Sequence, residues 1–230
     1  MKTLTSDIIN LMNKIQLDIT GIEAAIFDMN GTMIDDMGFH KKAWIEFCKS
    51  YGVDLTEEEF KQKFSGKKNT DILPEILGRK LSSDEIKELS EEKETIYRQV
   101  YAPFIKEVPG FKDLIAKLKS KHLKVAIATT AIEPNRKFVL DALHLENEFD
   151  VILGDEDVTN GKPHPEIYLE TAKKLNVDSS KCLVFEDTPP GVEAGKNAGM
   201  KVVGVLTTHT KEDLKNADYW ITDFTEIQII

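Results

Sequence analysis

Short apolar runs alternate with amphipathic stretches along most of this chain. The apolar runs predict buried strands, and the stretches between them, where apolar residues recur every three or four positions, predict helices. The predicted strands are 22–28, 124–129, 151–153, 182–186, 201–206 and 219–222. The predicted helices between them are 111–121, 134–144, 165–175, 190–198 and 211–216. Because mostly apolar strands alternate with helices, we expect an α/β fold with a doubly wound parallel sheet.

One long insertion interrupts this alternation after the first strand. Residues 37–107 contain several helical patterns and no convincing strand, so they predict a small all-helical cap domain. Residues 21–36 and 108–230 would then form the α/β core domain. Residues 1–20 predict an N-terminal helical extension, because their apolar residues have helical spacing.

The composition is that of an ordinary globular protein, and it excludes several function classes. Of the 230 residues, 41% are hydrophobic and 30% are charged. The formal net charge of −10 argues against nucleic acid or an anionic membrane as the main partner. The apolar runs are too short to span a bilayer, and Cys48 and Cys182 lie in apolar contexts typical of reduced core thiols. We expect a cytoplasmic monomer with no membrane partner.

Polar residues stand at the ends of the predicted strands or in the loops that follow them. They are Asp28, Thr129, Thr130, Lys162, Glu186 and Asp187. Open α/β sheets bind ligands at the carboxyl ends of their parallel strands. We therefore expect these side chains to converge at one edge of the sheet.

These residue types suit the transfer of a phosphoryl group. A carboxylate nucleophile such as Asp28 divides a difficult transfer into two steps. Two further carboxylates can hold Mg²⁺, which prefers oxygen ligands. Thr129 can donate a hydrogen bond to a phosphate oxygen, and Lys162 can neutralise the charge shared by nucleophile and phosphate. We expect an Mg²⁺-dependent enzyme whose partner is a small phosphorylated metabolite.

Four motifs occur in a specific order along the chain. They are Phe27-Asp28-Met29-Asn30-Gly31-Thr32, Ile127-Ala128-Thr129-Thr130, Gly161-Lys162-Pro163-His164-Pro165 and Phe185-Glu186-Asp187-Thr188-Pro189-Pro190-Gly191. This set resembles the haloacid dehalogenase (HAD) superfamily, in particular its β-phosphoglucomutase-like phosphatases with a helical cap. The resemblance spans roughly residues 22–223 and implies a Rossmann-like HAD core with the cap inserted after the first strand.

The resemblance also implies a role for each matching residue. Asp28 would be phosphorylated, and Thr129 and Lys162 would hold the transferring phosphate. Mg²⁺ would be bound by the carboxylates of Asp28 and Asp187 and by the main-chain carbonyl of Asn30. Glu186 would assist in binding the metal.

Asn30 departs from the family pattern, which usually has Asp at this acid/base position. That Asp protonates the leaving oxygen and then deprotonates the attacking water. An amide hydrogen-bonds but does neither at neutral pH. General acid–base catalysis contributes about 10²–10⁴-fold, so we expect reduced activity and predict that Asn30→Asp raises turnover by at least about 10-fold. Three interpretations are open: a slow or specialised native phosphotransferase, a substitution that traps a complex, or a member that binds phosphorylated ligands without turnover.

The candidate substrate-binding residues lie mostly in the predicted cap. They are His40, Lys67, Lys68 and Asn69 in the cap and Thr130 in the core. The stretch 65–71 resembles the substrate-specificity loop of capped relatives, in which an arginine of mutase members binds the phosphate that stays on the sugar. Asn69 is the nearest match here, and lysine binds phosphate only as a point charge.

Glu133 follows the second predicted strand and would repel a second phosphate if it faced the cleft. We therefore predict a phosphatase that hydrolyses a small phosphate ester, with a sugar phosphate as the expected class. A β-phosphoglucomutase-type mutase and a non-catalytic phospho-ligand-binding protein are the two alternatives.

Overall fold

The fold comes from a computed structural model that describes residues 14–63 and 69–230. The chain divides into two compact units. One unit comprises the chain up to Asp35 together with Lys106–Ile230, and the other is Asp36–Ile105. The first unit is built around a parallel sheet, whereas the described part of the second is helical.

The described residues form eight strands. They are β1 (Ile15–Leu17), β2 (Ala24–Phe27), β3 (Lys124–Ala128), β4 (Val151–Leu153), β5 (Cys182–Glu186), β6 (Lys201–Val205), β7 (Tyr219–Ile221) and β8 (Ile227–Ile229). Six of them make one sheet in the order β4-β3-β2-β5-β6-β7, and every neighbouring pair is parallel. The central strand β2 is buried along its whole length, as expected for a strand covered on both faces.

Helices account for the second unit and cover the sheet of the first. The second unit holds α1 (Met37–Ser50), α2 (Glu57–Lys63), α3 (Asn69–Leu77) and α4 (Ser83–Tyr101). The first unit holds α5 (Phe111–Ser120), α6 (Glu133–Leu143), α7 (Glu166–Leu175) and α8 (Pro189–Asn197). Among the residues described, each helix is too short or too polar to cross a membrane.

Both faces of the central strand are covered, because successive side chains of a strand point in opposite directions. Ala24 and Ile26 belong to an apolar cluster with Ile167 of α7 and Val192 of α8. Phe27 points to the other face and contacts Phe111 of α5. The predicted doubly wound α/β architecture is therefore confirmed.

The prediction of an N-terminal helix was wrong for the last part of residues 1–20. Residues 15–17 form β1, which pairs in parallel with β8, so that Ile15 lies opposite Ile227 and Leu17 opposite Ile229. The pairing strand lies at the other end of the chain, so the local pattern gives no sign of it. Residues 1–13 of that predicted helix lie outside the described residues.

The predicted helix at 211–216 was also wrong, because this segment forms turns. Leu214 N donates to Thr210 O at 3.1 Å, which is a single helix-type bond. Trp220 Nε1 donates to Leu214 O at 2.9 Å and anchors the segment against β7. So short a stretch cannot offset the cost of helix nucleation, and its tertiary contacts decide its conformation.

Both cysteines are buried and free. Burial raises the pKa of the Cys48 thiol and of the Cys182 thiol to about 11. The thiolate form is therefore scarce at neutral pH, as expected of inert core thiols.

An aromatic cluster supports the ends of β2 and β5. Phe27 stacks on Phe185 with ring centroids 4.6 Å apart. Phe111 and Phe224 meet Phe27 edge-on at 5.2 and 6.2 Å. Asp28 follows Phe27 directly, and Glu186 follows Phe185 directly. The ring packing therefore fixes the position of the two residues that follow it.

Phe27→Ala should lower the free energy of unfolding by about 3–5 kcal/mol, because it leaves a cavity among rings that cannot collapse into it. Urea unfolding followed by circular dichroism measures this loss. Leu169→Ala, at a side chain that is 41% exposed, is the control and should change stability by less than about 0.5 kcal/mol. A loss below about 1 kcal/mol for Phe27→Ala would show that the cluster repacks freely.

Candidate active site

Four of the predicted site residues come together at the carboxyl ends of neighbouring strands. Asp28 follows β2, and Glu186 and Asp187 stand at the end of β5. One carboxylate oxygen of each lies within 4.8 Å of the others, and all three residues are buried. Lys162 Nζ donates to Asp28 Oδ1 at 2.7 Å, to Glu186 Oε1, and to Ala128 O at the end of β3 at 3.2 Å.

The electrostatics of this cluster are those of excess negative charge around one buried cation. Burial by itself would lower the pKa of Lys162, but the charges of Asp28 and Glu186 raise it above its usual value. Burial and then the two neighbouring carboxylates raise the pKa of Asp187 well above its usual range. The cluster holds three carboxylates and one ammonium group, which pairs with two of them, so it is suited to a further cation.

The turn after Asp28 brings the main chain close to Asp187. The backbone N–H groups of Thr32, Met33 and Ile34 all donate to Met29 O, at 3.3, 2.9 and 3.3 Å. Gly31 has φ +76°, and a Cβ at this position would collide with Asp187 Oδ2. Glycine is therefore required here by its backbone conformation and by this close approach. Asn30 lies in the same turn and is half-buried.

Both oxygens of Glu186 accept hydrogen bonds from protein groups. Oε1 accepts from Tyr168 Oη at 2.8 Å as well as from Lys162, and Oε2 accepts from Asp187 N at 3.1 Å. Oε2 also accepts from Thr188 Oγ1 at 3.1 Å. Tyr168 was missed in the sequence, where it is an ordinary core position of an amphipathic helix and its hydroxyl was the only sign of a polar contact.

The loop after β3 begins at Thr129, directly after Ala128, whose carbonyl accepts from Lys162. Thr129 N donates to Leu153 O at 3.1 Å, and Thr129 Oγ1 accepts from Ala131 N at 3.2 Å, so its own O–H can donate in another direction. Arg136 Nη1 donates to Ala131 O at 2.6 Å and so stabilises the loop. Thr130 is exposed, unlike Thr129.

The second unit has a buried polar cluster of its own that contains two of the predicted substrate-binding residues. Lys93 Nζ donates to Glu94 Oε1 at 2.7 Å and lies 3.0 Å from His40 Nδ1. Asn69 Nδ2 donates to the same Glu94 oxygen at 2.9 Å. The His40 ring stacks on Tyr97 with centroids 3.8 Å apart. The other two predicted residues of this unit, Lys67 and Lys68, lie outside the described residues.

Lys93 and Glu94 form a buried ion pair. Burial lowers the pKa of Lys93, and Glu94 opposes that shift. Burial by itself would raise the pKa of Glu94, but the charges of Lys93 and His40 lower it to about 2. The ammonium group of Lys93 is thus neutralised by its neighbour in sequence.

Glu94→Gln should lower the free energy of unfolding at pH 7 by about 3 kcal/mol, because it leaves Lys93 charged and buried without its counter-ion. The folded-state pKa of Glu94 is depressed from 4.5 to about 2, so its stabilisation is complete above about pH 4.5 and is lost as the pH falls toward 2. The difference between variant and wild type should therefore narrow on acidification. Fluorescence of Trp44 in a Trp220→Phe background reports unfolding of this unit.

Glu88→Gln is the matched control for this prediction, since Glu88 is exposed on the same helix. It should change stability by less than about 0.5 kcal/mol at any pH. An equal loss for Glu94→Gln at pH 7 and pH 3 would contradict the assigned ion pair.

Comparison with known proteins agrees with this fold. A family model of haloacid dehalogenase-like hydrolases matches residues 25–205. A phosphorylated carbohydrates phosphatase from Thermotoga maritima is 34% identical over 195 residues, which cover 84% of this chain and 89% of that relative. A HAD hydrolase of family IA, variant 3, from Entamoeba histolytica superposes with a TM-score of 0.84 at 35% identity, covering 90% of this chain and 96% of that one.

A β-phosphoglucomutase structure from Clostridium difficile is also similar, with a TM-score of 0.78 at 30% identity, covering 90% of this chain and 93% of that one. Open parallel α/β sheets bind ligands at the carboxyl ends of their strands, which is where the three carboxylates lie here. The chain belongs to the haloacid dehalogenase-like hydrolases, within the β-phosphoglucomutase-like group. It is an enzyme of the phosphatase or phosphoglucomutase type, and the resemblance seen in the motifs is confirmed.

Proposed function

We propose that this protein is an Mg²⁺-dependent phosphatase that hydrolyses a small phosphate monoester, a sugar phosphate, through an aspartyl phosphate on Asp28. The observation that carries the proposal is the convergence of Asp28, Lys162 and Asp187 at one buried point. The substrate class is supported by the Thermotoga maritima relative, whose name refers to phosphorylated carbohydrates.

The proposed reaction has two steps. A carboxylate oxygen of Asp28 forms a bond to phosphorus, the bond between phosphorus and the sugar oxygen breaks, and that oxygen takes a proton from solvent so that the sugar leaves as an alcohol. Water then attacks the aspartyl phosphate, which releases phosphate and regenerates the carboxylate. Lys162 holds Asp28 in one orientation through Oδ1, and Thr129 donates to a phosphate oxygen.

The residues present fit a divalent cation. Three buried carboxylates crowd within 4.8 Å, and their mutual repulsion contributes to the raised pKa of Asp187. Asp28, Asp187 and the main-chain carbonyl of Asn30 would hold Mg²⁺, with Glu186 assisting, and the ion would supply further positive charge to the phosphate.

Asn30 makes the proposed phosphatase slow. Its amide can hydrogen-bond to the leaving oxygen but cannot give that oxygen a proton, nor take one from water. The deficit is smallest for esters with good leaving groups, which need little protonation. The proposed metal ligand at residue 30 is the backbone carbonyl, which does not depend on the side chain, so metal binding is retained.

The charges in the second unit favour a monophosphate over a bisphosphate, and therefore a phosphatase over a mutase. Lys93 is neutralised by Glu94, and Asn69 offers an amide where mutase relatives offer a guanidinium fork. In the first unit, Glu133 adds a carboxylate at the start of α6. His40 and Asn69 are the proposed substrate-binding residues of the second unit.

The phosphorylated intermediate tests this function. The full chain is incubated with Mg²⁺ and acetyl phosphate, quenched in acid, and the peptide containing Asp28 is weighed. We expect one added phosphoryl group that disappears on further incubation, and no adduct in EDTA. Tight binding of sugar phosphates without an adduct would show a non-catalytic binder. An adduct that persists in water but transfers to a sugar phosphate would show a mutase.

A further inference from the structure

The segment after β6 binds two different parts of the candidate site through its side chains. This segment, Thr207–His209, follows β6, which lies between β5 and the edge strand β7 in the sheet. Thr207 Oγ1 donates to Gly31 O in the turn after Asp28. Thr208 Oγ1 donates to Asp187 Oδ2. The segment therefore joins the turn after β2 to the carboxylate after β5.

The hydrogen-bond roles around Thr208 form one consistent set. His209 Nδ1 lies 3.0 Å from Asp187 O and 2.9 Å from Thr208 Oγ1. Both of these oxygens can accept, so an Nδ1–H tautomer of His209 donates to them. Thr208 Oγ1 also lies 3.0 Å from Asp187 O, but His209 donates to that carbonyl, so the single proton of the Thr208 hydroxyl goes to the shorter contact, Asp187 Oδ2. His209 thus holds Thr208 in the orientation in which it donates.

A second hydroxyl holds the other oxygen of the same carboxylate. Thr32 Oγ1 donates to Asp187 Oδ1 at 3.1 Å, and Thr32 is fully buried. Each oxygen of Asp187 therefore accepts one hydroxyl hydrogen bond and keeps a lone pair for another partner. Asp187 needs such support because it is 1% exposed and lies beside two like charges that would drive its side chain away.

We propose that Thr208 is a positioning residue that fixes the Asp187 carboxylate for a divalent cation. Thr32 holds the other carboxylate oxygen, and His209 holds Thr208 in place. The inference rests on the proposed function, since that function supplies the cation. It adds β6 to a site otherwise formed by β2, β3, β5 and the loop after β4. Removing this hydroxyl frees the carboxylate to rotate and so weakens metal binding without removing a ligand.

Direct metal binding tests the inference without reference to turnover. The protein and its variants are titrated with MnCl₂, and free Mn²⁺ is followed by its electron paramagnetic resonance signal. Thr208→Val keeps the shape of the side chain but removes the hydroxyl, and it should weaken Mn²⁺ binding by about 10- to 100-fold. Thr208→Ser keeps the hydroxyl and should remain within about threefold of the wild type.

Thr222→Val is the matched control, since Thr222 is exposed after the neighbouring strand β7. It should bind Mn²⁺ like the wild type. Equal affinity for Thr208→Val and wild type, or equal weakening for Thr208→Ser and Thr208→Val, would overturn the inference and leave the proposed function intact. No Mn²⁺ binding by the wild type would overturn the proposed cation and this inference together.

Discussion

Replacing Asp28 by asparagine should lower turnover by at least about 10³-fold on every substrate, because the residual rate without a covalent nucleophile comes from binding and charge stabilisation alone. The amide is nearly isosteric with the carboxylate, so the loss reports chemistry and not shape. Steady-state rates on a sugar phosphate and on an aryl phosphate measure it. The same variant should take up no phosphoryl group from acetyl phosphate.

Asp141→Asn is the matched control for the nucleophile. Asp141 lies near the end of α6, a helix that runs back from the carboxyl edge of the sheet, and it pairs on the surface with Lys137. Asp141→Asn removes one negative charge, as Asp28→Asn does, but at a surface position away from the site. It should alter turnover by less than about twofold. A loss below about 10-fold for Asp28→Asn would show that Asp28 is not the nucleophile.

Asn30→Asp should raise turnover by at least about 10-fold, because it restores a group able to move a proton to the leaving oxygen and from water. The gain should be larger for a sugar phosphate than for an aryl phosphate, whose leaving group needs less protonation. Rates of both proteins on the same two esters give the comparison. The affinity for Mn²⁺ should change little, since the proposed ligand at this position is the main-chain carbonyl.

Asn147→Asp adds the same charge at an exposed site beyond α6 and is the control for a general effect of charge. It should leave both rates within about twofold of the wild type. If Asn30→Asp gives no gain on either ester, proton transfer is not the step that limits turnover in the protein with Asn30.

The sheet was predictable because each of its strands carries its own signal. Val151–Leu153 and Cys182–Glu186 are apolar runs between helical patterns, and their observed bounds are those predicted. The meeting of Asp28 with the acidic pair of β5 follows from the parallel arrangement, since equivalent ends of parallel strands lie at one edge. Sequence patterns therefore suffice wherever burial on both faces or strand order decides the outcome.

The remaining features depend on partners far away in the chain. β1 and β8 have three residues each and pair with one another across the whole sequence. Tyr168 has the spacing of a core residue, and only the fold shows that its hydroxyl meets Glu186. Thr32 and Thr208 donate to Asp187 from beyond the ends of two other strands. No local pattern distinguishes such contacts from ordinary turn chemistry.

The order of strands in the sheet also affects how this chain is made. β2 precedes both of its neighbours in the chain. The second unit separates it from β3, and a further part of the first unit separates it from β5. An apolar segment with both edges unpaired must therefore wait while the later strands emerge from the ribosome. Long-range parallel pairing of this kind is slow, and until it is complete it exposes apolar surface that favours aggregation. The carboxylate cluster therefore assembles only after β5 has been made and has paired with β2.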